Sequence, residues 1–416
     1  MEKLLRGAAV VGQSGGPTAA INASLAGVIK GAIENKEAIS VLYGMRNGIE
    51  GFLAERLCNL SEMFSTVGGD PDLEKLDLLS ATPASALGSC RKKLPKTDDK
   101  DFYENLISLF RKYDIRYFFY IGGNDSMDTV AKLSKYIEGS DYEMRVVGVP
   151  KTIDNDLDGT DHTPGFGSAA KYIATVSQEI VTDCSVYTTK AVTIVEFMGR
   201  DAGWLTAASA LPRLTSGLAP DYVYLPETDF SMELFFEDIE EAWKKHPNIV
   251  IAVSEGLRFA DGHYVGEGTQ SGATDVFGHR YLEGTGKALE IAVKEKFGCK
   301  VRSIEINLPQ RCASHIRSAT DISESLSCGR AAVSCAVEGQ SGKMIAMLRE
   351  AGEEYRILYV SKDVSDIANA VRSVPRDFIN GRGNNVTDEC LEYILPLIQG
   401  EIDTVYEKGI PKYLKI

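Results

Sequence analysis

Two short polar loops hold the residue types that phosphoryl transfer requires. One reads Gly122-Gly123-Asn124-Asp125-Ser126 and follows the apolar run Tyr117-Phe118-Phe119-Tyr120-Ile121. The other reads Pro150-Lys151-Thr152-Ile153-Asp154-Asn155-Asp156 and follows Val146-Val147-Gly148-Val149. An apolar run that breaks into a polar loop reads as a strand ending at the carboxyl edge of a sheet, where open α/β folds place ligands. Glycine lets backbone N–H groups approach an anion, and the N-terminus of a following helix adds partial positive charge. Acids gathered at the same edge can hold a divalent cation and supply a general base.

The elements that must position these loops alternate along the chain. Strand-like runs fall at Val10-Val11, Ser40 to Tyr43, Tyr117 to Ile121, Val146 to Val149, Val192 to Val195, Ile249 to Val253 and Ser303 to Ile306. Helical periodicity falls between them, at Ile21 to Ile29, Phe102 to Tyr113, Ser126 to Ile137, Ser168 to Val181 and Gly286 to Phe297, the last stopped by Gly298. Such alternation predicts mainly parallel sheets covered on both faces: an α/β chain of two Rossmann-like three-layer units with the site in the cleft between them. The sequence places the boundary near residue 160, and the glycine-rich stretch Gly256 to Gly278 is the most loop-like region.

Other motifs narrow the chemistry. Ser14-Gly15-Gly16-Pro17, with Asn22 beyond it, is a strand-to-helix turn suited to cradling a phosphate. Gly342-Lys343-Met344 lacks the hydroxyl residue of a Walker loop, and no GxGxxG element supports dinucleotide binding. Asp154-Asn155-Asp156-Leu157-Asp158-Gly159 superficially resembles a calcium loop, but Gly165 stands where the bidentate glutamate belongs. The acids are therefore read as a general base, Asp154, with a metal-holding neighbour.

Composition sets the outer limits. At 416 residues, 44% hydrophobic and 25% charged, the chain has material for two globular domains. A net charge of −14 argues against nucleic acid as a partner. Eight cysteines without CxxC spacing indicate free thiols in a reducing cytoplasm, and neither a signal-like segment nor an apolar run of about 18 residues suggests export or a membrane span.

Taken in order, these segments resemble the phosphofructokinases, and specifically the branch that uses pyrophosphate. Members that use ATP have glycine at the positions of Asp125 and Lys151; here a carboxylate and an ammonium stand there. A carboxylate would repel the α-phosphate of ATP and fill its place, and a lysine could hold pyrophosphate. The resemblance implies that Gly15, Gly16, Arg91, Asp125 and Lys151 bind pyrophosphate, with Asp154, Asp125 and Lys151 catalytic. It also implies that Thr152, Ile153, Asp154, Met198, Gly199, Arg200, Glu255 and Arg311 hold the sugar phosphate. Many relatives have aspartate where this chain has Asn124, the implied ligand of Mg2+. At the place of an arginine that reaches across a subunit interface this chain has Ala191, leaving Lys190 to replace it. The resemblance leaves His315 and Arg317 without a role, and a homodimer or homotetramer is implied.

The implied reaction is reversible transfer from diphosphate to D-fructose 6-phosphate, giving phosphate and D-fructose 1,6-bisphosphate. The domains implied are 1–160 with part of about 320–375 for pyrophosphate and metal, and 161–319 with part of about 376–416 for the sugar phosphate. Rival readings are an ATP-dependent 6-phosphofructokinase, a sedoheptulose 7-phosphate kinase, and a non-catalytic regulatory subunit. Asn124 motivates the last, and the retention of Asp154 and Lys151 opposes it. The lipid and NAD kinases share the glycine turn but lack counterparts of Met198-Gly199-Arg200 and Gln310-Arg311.

Overall fold

The structure, a computed structural model, describes residues 4–267, 284–352, 354–367 and 371–416. Its strands are β1 (Gly7–Gln13), β2 (Ile39–Met45), β3 (Leu57–Asn59), β4 (Ile115–Gly122), β5 (Arg145–Pro150), β6 (Ala191–Phe197), β7 (Tyr222–Tyr224), β8 (Asn248–Ser254), β9 (Lys300–Glu305), β10 (Lys343–Arg349), β11 (Ile357–Asp363), β12 (Tyr406–Glu407) and β13 (Ile410–Pro411). Seven form one sheet in the order β11-β10-β5-β4-β1-β2-β3, and four form a second in the order β7-β8-β6-β9. The second sheet is wholly parallel. The first is parallel except where β3 and β11 close its edges.

The central strands of both sheets are buried on both faces, which explains the unbroken apolar runs of β4 and β8. One face of the first sheet carries the helices Ile21–Glu34 and Ala319–Val337. These two cross so closely that a Cβ at Gly27 would lie 2.0 Å from the Leu326 carbonyl oxygen, and one at Gly329 would lie 2.2 Å from that of Ser24. Only glycine fits such a crossing. The other face carries the helices Lys100–Lys112 and Asn124–Glu138. Lys100–Lys112 shows why its sequence is helical: Asp99 caps it by accepting from the Phe102 amide at 3.2 Å, Tyr103, Leu106 and Phe110 face the core, and Arg111 and Lys112 oppose the dipole at its end. The second sheet lies between Phe166–Ser185 on one face and Met232–Ala242 with Thr285–Phe297 on the other.

The chain passes between the two units more than once. Cys328, Ala332, Ile345 and Met347 belong to the first core, whereas Val374, Val386, Leu391 and Leu397 belong to the second. The last residues return to the first unit: Leu414 and Ile416 pack against its core, and the Leu414 amide donates to Thr82 Oγ1 at 2.9 Å. Of the loop expected at Gly256 to Gly278, the part from residue 268 lies outside the described residues.

Strand order explains the position of the cleft. In the first sheet the chain leaves β1 toward β2 and later returns to the opposite side as β4. In the second, β6 lies between β8 and β9. Each is a switch point where loops at the strand ends part and leave a crevice. Among the described residues no helix is long and apolar enough to cross a membrane, and all eight cysteines are free thiols.

Candidate active site

Six strand ends, those of β1, β4, β5, β6, β8 and β9, converge on one cleft with two lobes. The deeper lobe, about 430 Å³, is lined by Gly16, Arg91, Lys151 to Asp154, Met198, Arg200, Glu255, Gln310 and Arg311, with Glu196, Glu305 and Asn307 completing its wall. The other lobe, about 410 Å³, is lined by Ser14 to Gly16, Arg91, Gly123 to Ser126, Lys151, Asp154 and Asp156. Arg91, Lys151, Thr152, Asp154, Arg200 and Glu255 face both lobes.

The outer lobe is built on β1, β4 and β5. Gly15 turns the chain with a left-handed φ of 77°, where a side chain would be strained, and its amide donates to the Cys90 carbonyl at 3.2 Å. This link fastens the β1 turn to the segment that bears Arg91. Asn124 and Asp125 open the helix Asn124–Glu138, so the carboxylate of Asp125 lies in its first turn, at the positive end of the dipole. Asp125 pairs with Lys93 at 3.1 Å, and both side chains are well exposed, at 40% and 49%. The Lys151 amide donates to the Gly122 carbonyl at 3.0 Å, tying the end of β5 to the end of β4.

Lys151 is only 3% exposed, and its Nζ donates to the Gly16 carbonyl at 2.5 Å. Burial pulls its ammonium down to about 8 despite the attraction of Asp154 and Asp156. Burial, reinforced by the Asp156 carboxylate, pushes Asp154 up to about 7. Asp156 is also raised, by burial. Thr152 steadies the base: its hydroxyl accepts from the Asp154 amide at 3.1 Å and lies 3.5 Å from Asp154 Oδ2.

The deeper lobe is built on β6, β8 and β9. The Gly199 amide donates to Glu255 Oε1 at 3.1 Å, and burial pushes Glu255 up to about 8. Gln310 accepts from the Met198 amide at 3.2 Å and donates to the Asn307 carbonyl at 2.8 Å, joining the loops after β6 and β9. Burial, helped by the positive charge of Arg91, pulls the Arg311 guanidinium down. A Cβ on Gly16 would lie 3.6 Å from Arg311 Nη1, so the phosphate turn and this arginine meet at the floor of the cleft.

A divalent cation can be tested against this donor set. Asn124 Oδ1 is buried without a hydrogen-bond partner, and its Nδ2 donates to Asp156 Oδ2 at 3.4 Å. Among the described residues no cluster of three or more His, Cys, Asp or Glu has metal-site geometry. Mg2+ does not require one; it commonly takes one or two protein oxygens and completes its shell with water and phosphate. An unpartnered amide oxygen beside a carboxylate, at the lip of a phosphate turn, fits that habit.

Lys190, His315 and Arg317 line neither lobe. Lys190 precedes β6, at the end opposite the cleft, and its Nζ sits 4.7 Å from the centroid of the Trp243 ring. His315 is exposed and does not line the cleft. Arg317 is buried and donates to the Ser80 carbonyl at 3.0 Å, a structural tie. Conversely, Pro17, Thr18, Glu196, Glu305 and Asn307 line the deeper lobe unanticipated. Asn307, just past β9 in Ile306-Asn307-Leu308-Pro309, carries the same signal as the recognised loops, a polar residue at a strand end.

Residues 8–336 match the phosphofructokinase family model. The chain belongs to the phosphofructokinase family. It is similar to a protein named pyrophosphate--fructose 6-phosphate 1-phosphotransferase from Halomonas elongata, at 42% identity over 97% of this chain and 94% of the relative. It is 39% identical, with the same coverage of both chains, to one of that name from Methylococcus capsulatus. A crystal structure titled pyrophosphate-dependent phosphofructokinase, from Nitrosospira multiformis, superposes with a TM-score of 0.87 at 36% identity, covering 99% of this chain and 96% of that one. Within a phosphofructokinase of this architecture, the two lobes correspond to the two strand-end crevices already described.

Proposed function

We propose that this chain is a diphosphate–fructose-6-phosphate 1-phosphotransferase, with Asp154 as general base. The observation that carries the donor assignment is the setting of Asp125 and Lys151. A carboxylate stands at the outer rim of the phosphate lobe, and a buried ammonium lies on the Gly16 carbonyl beside the base. The names of the relatives support the same donor.

In the forward direction the C1 hydroxyl of fructose 6-phosphate gives its proton to Asp154. Its oxygen forms a bond to the near phosphorus of pyrophosphate as the bridging P–O bond breaks, and phosphate leaves. A carboxylate raised to about 7 is well matched to taking and returning that proton near neutral pH. Lys151 and Arg91 face the transferring group and stabilise its charge. Arg200 and Arg311 hold the sugar phosphate with forked donors. Glu255, raised to about 8, is neutral at pH 7 and can both donate to and accept from a sugar hydroxyl. Mg2+, held by Asn124 Oδ1 and an adjacent carboxylate, would neutralise charge on pyrophosphate.

Pyrophosphate and the bisphosphate product have similar transfer potentials, so the reaction runs both ways. Lys190 would serve the cleft of a neighbouring subunit in a homodimer or homotetramer, and the free thiols fit a cytoplasmic enzyme. The test supplies pyrophosphate and Mg2+ with either fructose 6-phosphate or sedoheptulose 7-phosphate, and measures bisphosphate formation in both directions. Preference for fructose 6-phosphate is expected; preference for the seven-carbon sugar would reassign the acceptor.

A further inference from the structure

The catalytic loop contains a difficulty that its own residues do not resolve. Asp154 and Asp156 flank Asn155 on one loop, and both face the outer lobe of the cleft. Asn155 between them adopts a left-handed backbone, with φ of 54°, and is fully buried. Mutual repulsion and an unusual backbone angle both favour another loop geometry, so something outside the loop must hold it.

The holding groups come from the segment after residue 370, to which no role has been given so far. The Arg372 amide donates to the Asp156 carbonyl at 2.8 Å, and Leu157 forms an antiparallel bridge with Val371. From the helix Asp388–Ile394, the phenol of Tyr393 accepts from Asn155 Nδ2 at 3.2 Å. The same oxygen donates to the Asp161 carbonyl at 2.6 Å and accepts from Arg372 at 3.2 and 3.3 Å. A phenol has one proton to donate and two lone pairs to share, so this one is fully committed. Among the described residues the side chain of Asn155 has no other hydrogen-bond partner, and its Oδ1 is buried and unbonded. The Tyr393 ring is fixed independently of its hydroxyl, lying 5.2 Å from the ring centroid of Trp204 and 5.9 Å from that of Phe378.

We propose that Tyr393 is a positioning residue, which fixes the Asn155 side chain and so sets the direction of the flanking Asp154 and Asp156 carboxylates. This rests on the assignment of Asp154 as base. The phenol touches no substrate, because Tyr393 lines neither lobe of the cleft. Its contribution is geometric, and small displacements of a reacting group cost far more in rate than in binding.

The test is Tyr393→Phe, which keeps the ring packing and removes only the hydroxyl. Wild type is first assayed with pyrophosphate and fructose 6-phosphate. Inactivity there would indict the functional reading, whereas the comparisons that follow address Tyr393 alone. In Tyr393→Phe, turnover should fall about tenfold while both Michaelis constants stay within about twofold. Asn155→Gly, which tolerates the left-handed backbone but lacks the amide, should reproduce the turnover loss. The double variant should be no slower than the slower single one, because both remove the same contact. A Tyr393→Phe enzyme that melts lower but keeps wild-type turnover would show a purely structural residue. Multiplying losses in the double variant would equally overturn the proposal.

Discussion

The outer rim of the cleft and its floor use the same charged chemistry in opposite physical settings. At the rim, Asp125 and Lys93 pair across a well-exposed surface, where water and salt screen their attraction. At the floor, Lys151 is almost fully buried on a backbone carbonyl, and Asp154 and Glu255 are raised by desolvation. The contrast separates two tasks. On the proposed reading the exposed charges select the donor, since rejecting a third phosphate needs only repulsion and volume. On the same reading the buried charges serve proton transfer and charge stabilisation, where low local dielectric magnifies each group.

The floor should therefore be the more sensitive region. Asp154→Asn removes the base while keeping its shape, and turnover should fall by about 10²–10⁴ with little change in either Michaelis constant. Near-normal turnover in steady-state assays would remove Asp154 from the mechanism. Lys151→Gly should lower pyrophosphate-dependent turnover by about 10²–10³, the usual cost of losing a preorganised stabiliser of transition-state charge. If it acted mainly on the Michaelis constant, Lys151 would belong with the binding groups instead.

The walls of the deeper lobe come next. Arg200→Ala and Arg311→Ala each remove a charge-assisted contact worth about 1.5–3 kcal/mol, or about ten- to one-hundred-fold in the Michaelis constant for fructose 6-phosphate. The pyrophosphate constant should hardly change; a rise there would place these arginines in the wrong lobe.

The floor also sets a pH window. Asp154 must be deprotonated to accept a proton, so kcat/KM should fall below about pH 7. Lys151 must be protonated to hold an anion, so it should also fall above about pH 8. Titrating kcat/KM from pH 5.5 to 9.5 checks both limbs. A flat profile across that range would mean that neither group titrates as its burial requires. At the rim, Lys93→Ala should alter donor affinity by only a few-fold, an effect that disappears as salt is raised.

Legibility of the site in the sequence followed the strand ends. The loops bearing Gly15, Asp125, Lys151, Arg200 and Glu255 each follow an apolar run, so their common edge could be read before their contacts were known. The two sheets and the helices Lys100–Lys112, Asn124–Glu138, Phe166–Ser185 and Thr285–Phe297 were readable as apolar runs and long periodic segments. Lys343-Met344-Ile345-Ala346-Met347 was equally apolar, but without a motif at its end it gave no sign that it extends the first sheet beside β5. Least readable was the support behind the site. Tyr393 meets Asn155 across 238 positions of sequence, and nothing local in its short helix distinguishes it from an ordinary half-buried tyrosine. Lys190 marks another boundary: a position beside a strand start says which end of the sheet it occupies, and here that is the end away from its own cleft.

The central claim is that this phosphofructokinase takes its phosphoryl group from pyrophosphate because of Asp125 at the rim and Lys151 at the floor. The most direct measurement is kcat/KM for pyrophosphate and for ATP on one preparation of wild type and of Asp125→Gly, with fructose 6-phosphate and Mg2+ saturating. Wild type should use pyrophosphate and be nearly inert with ATP, and Asp125→Gly should gain measurable ATP-dependent activity while losing efficiency with pyrophosphate. A wild-type enzyme that prefers ATP, or a variant whose donor preference is unchanged, would contradict the account.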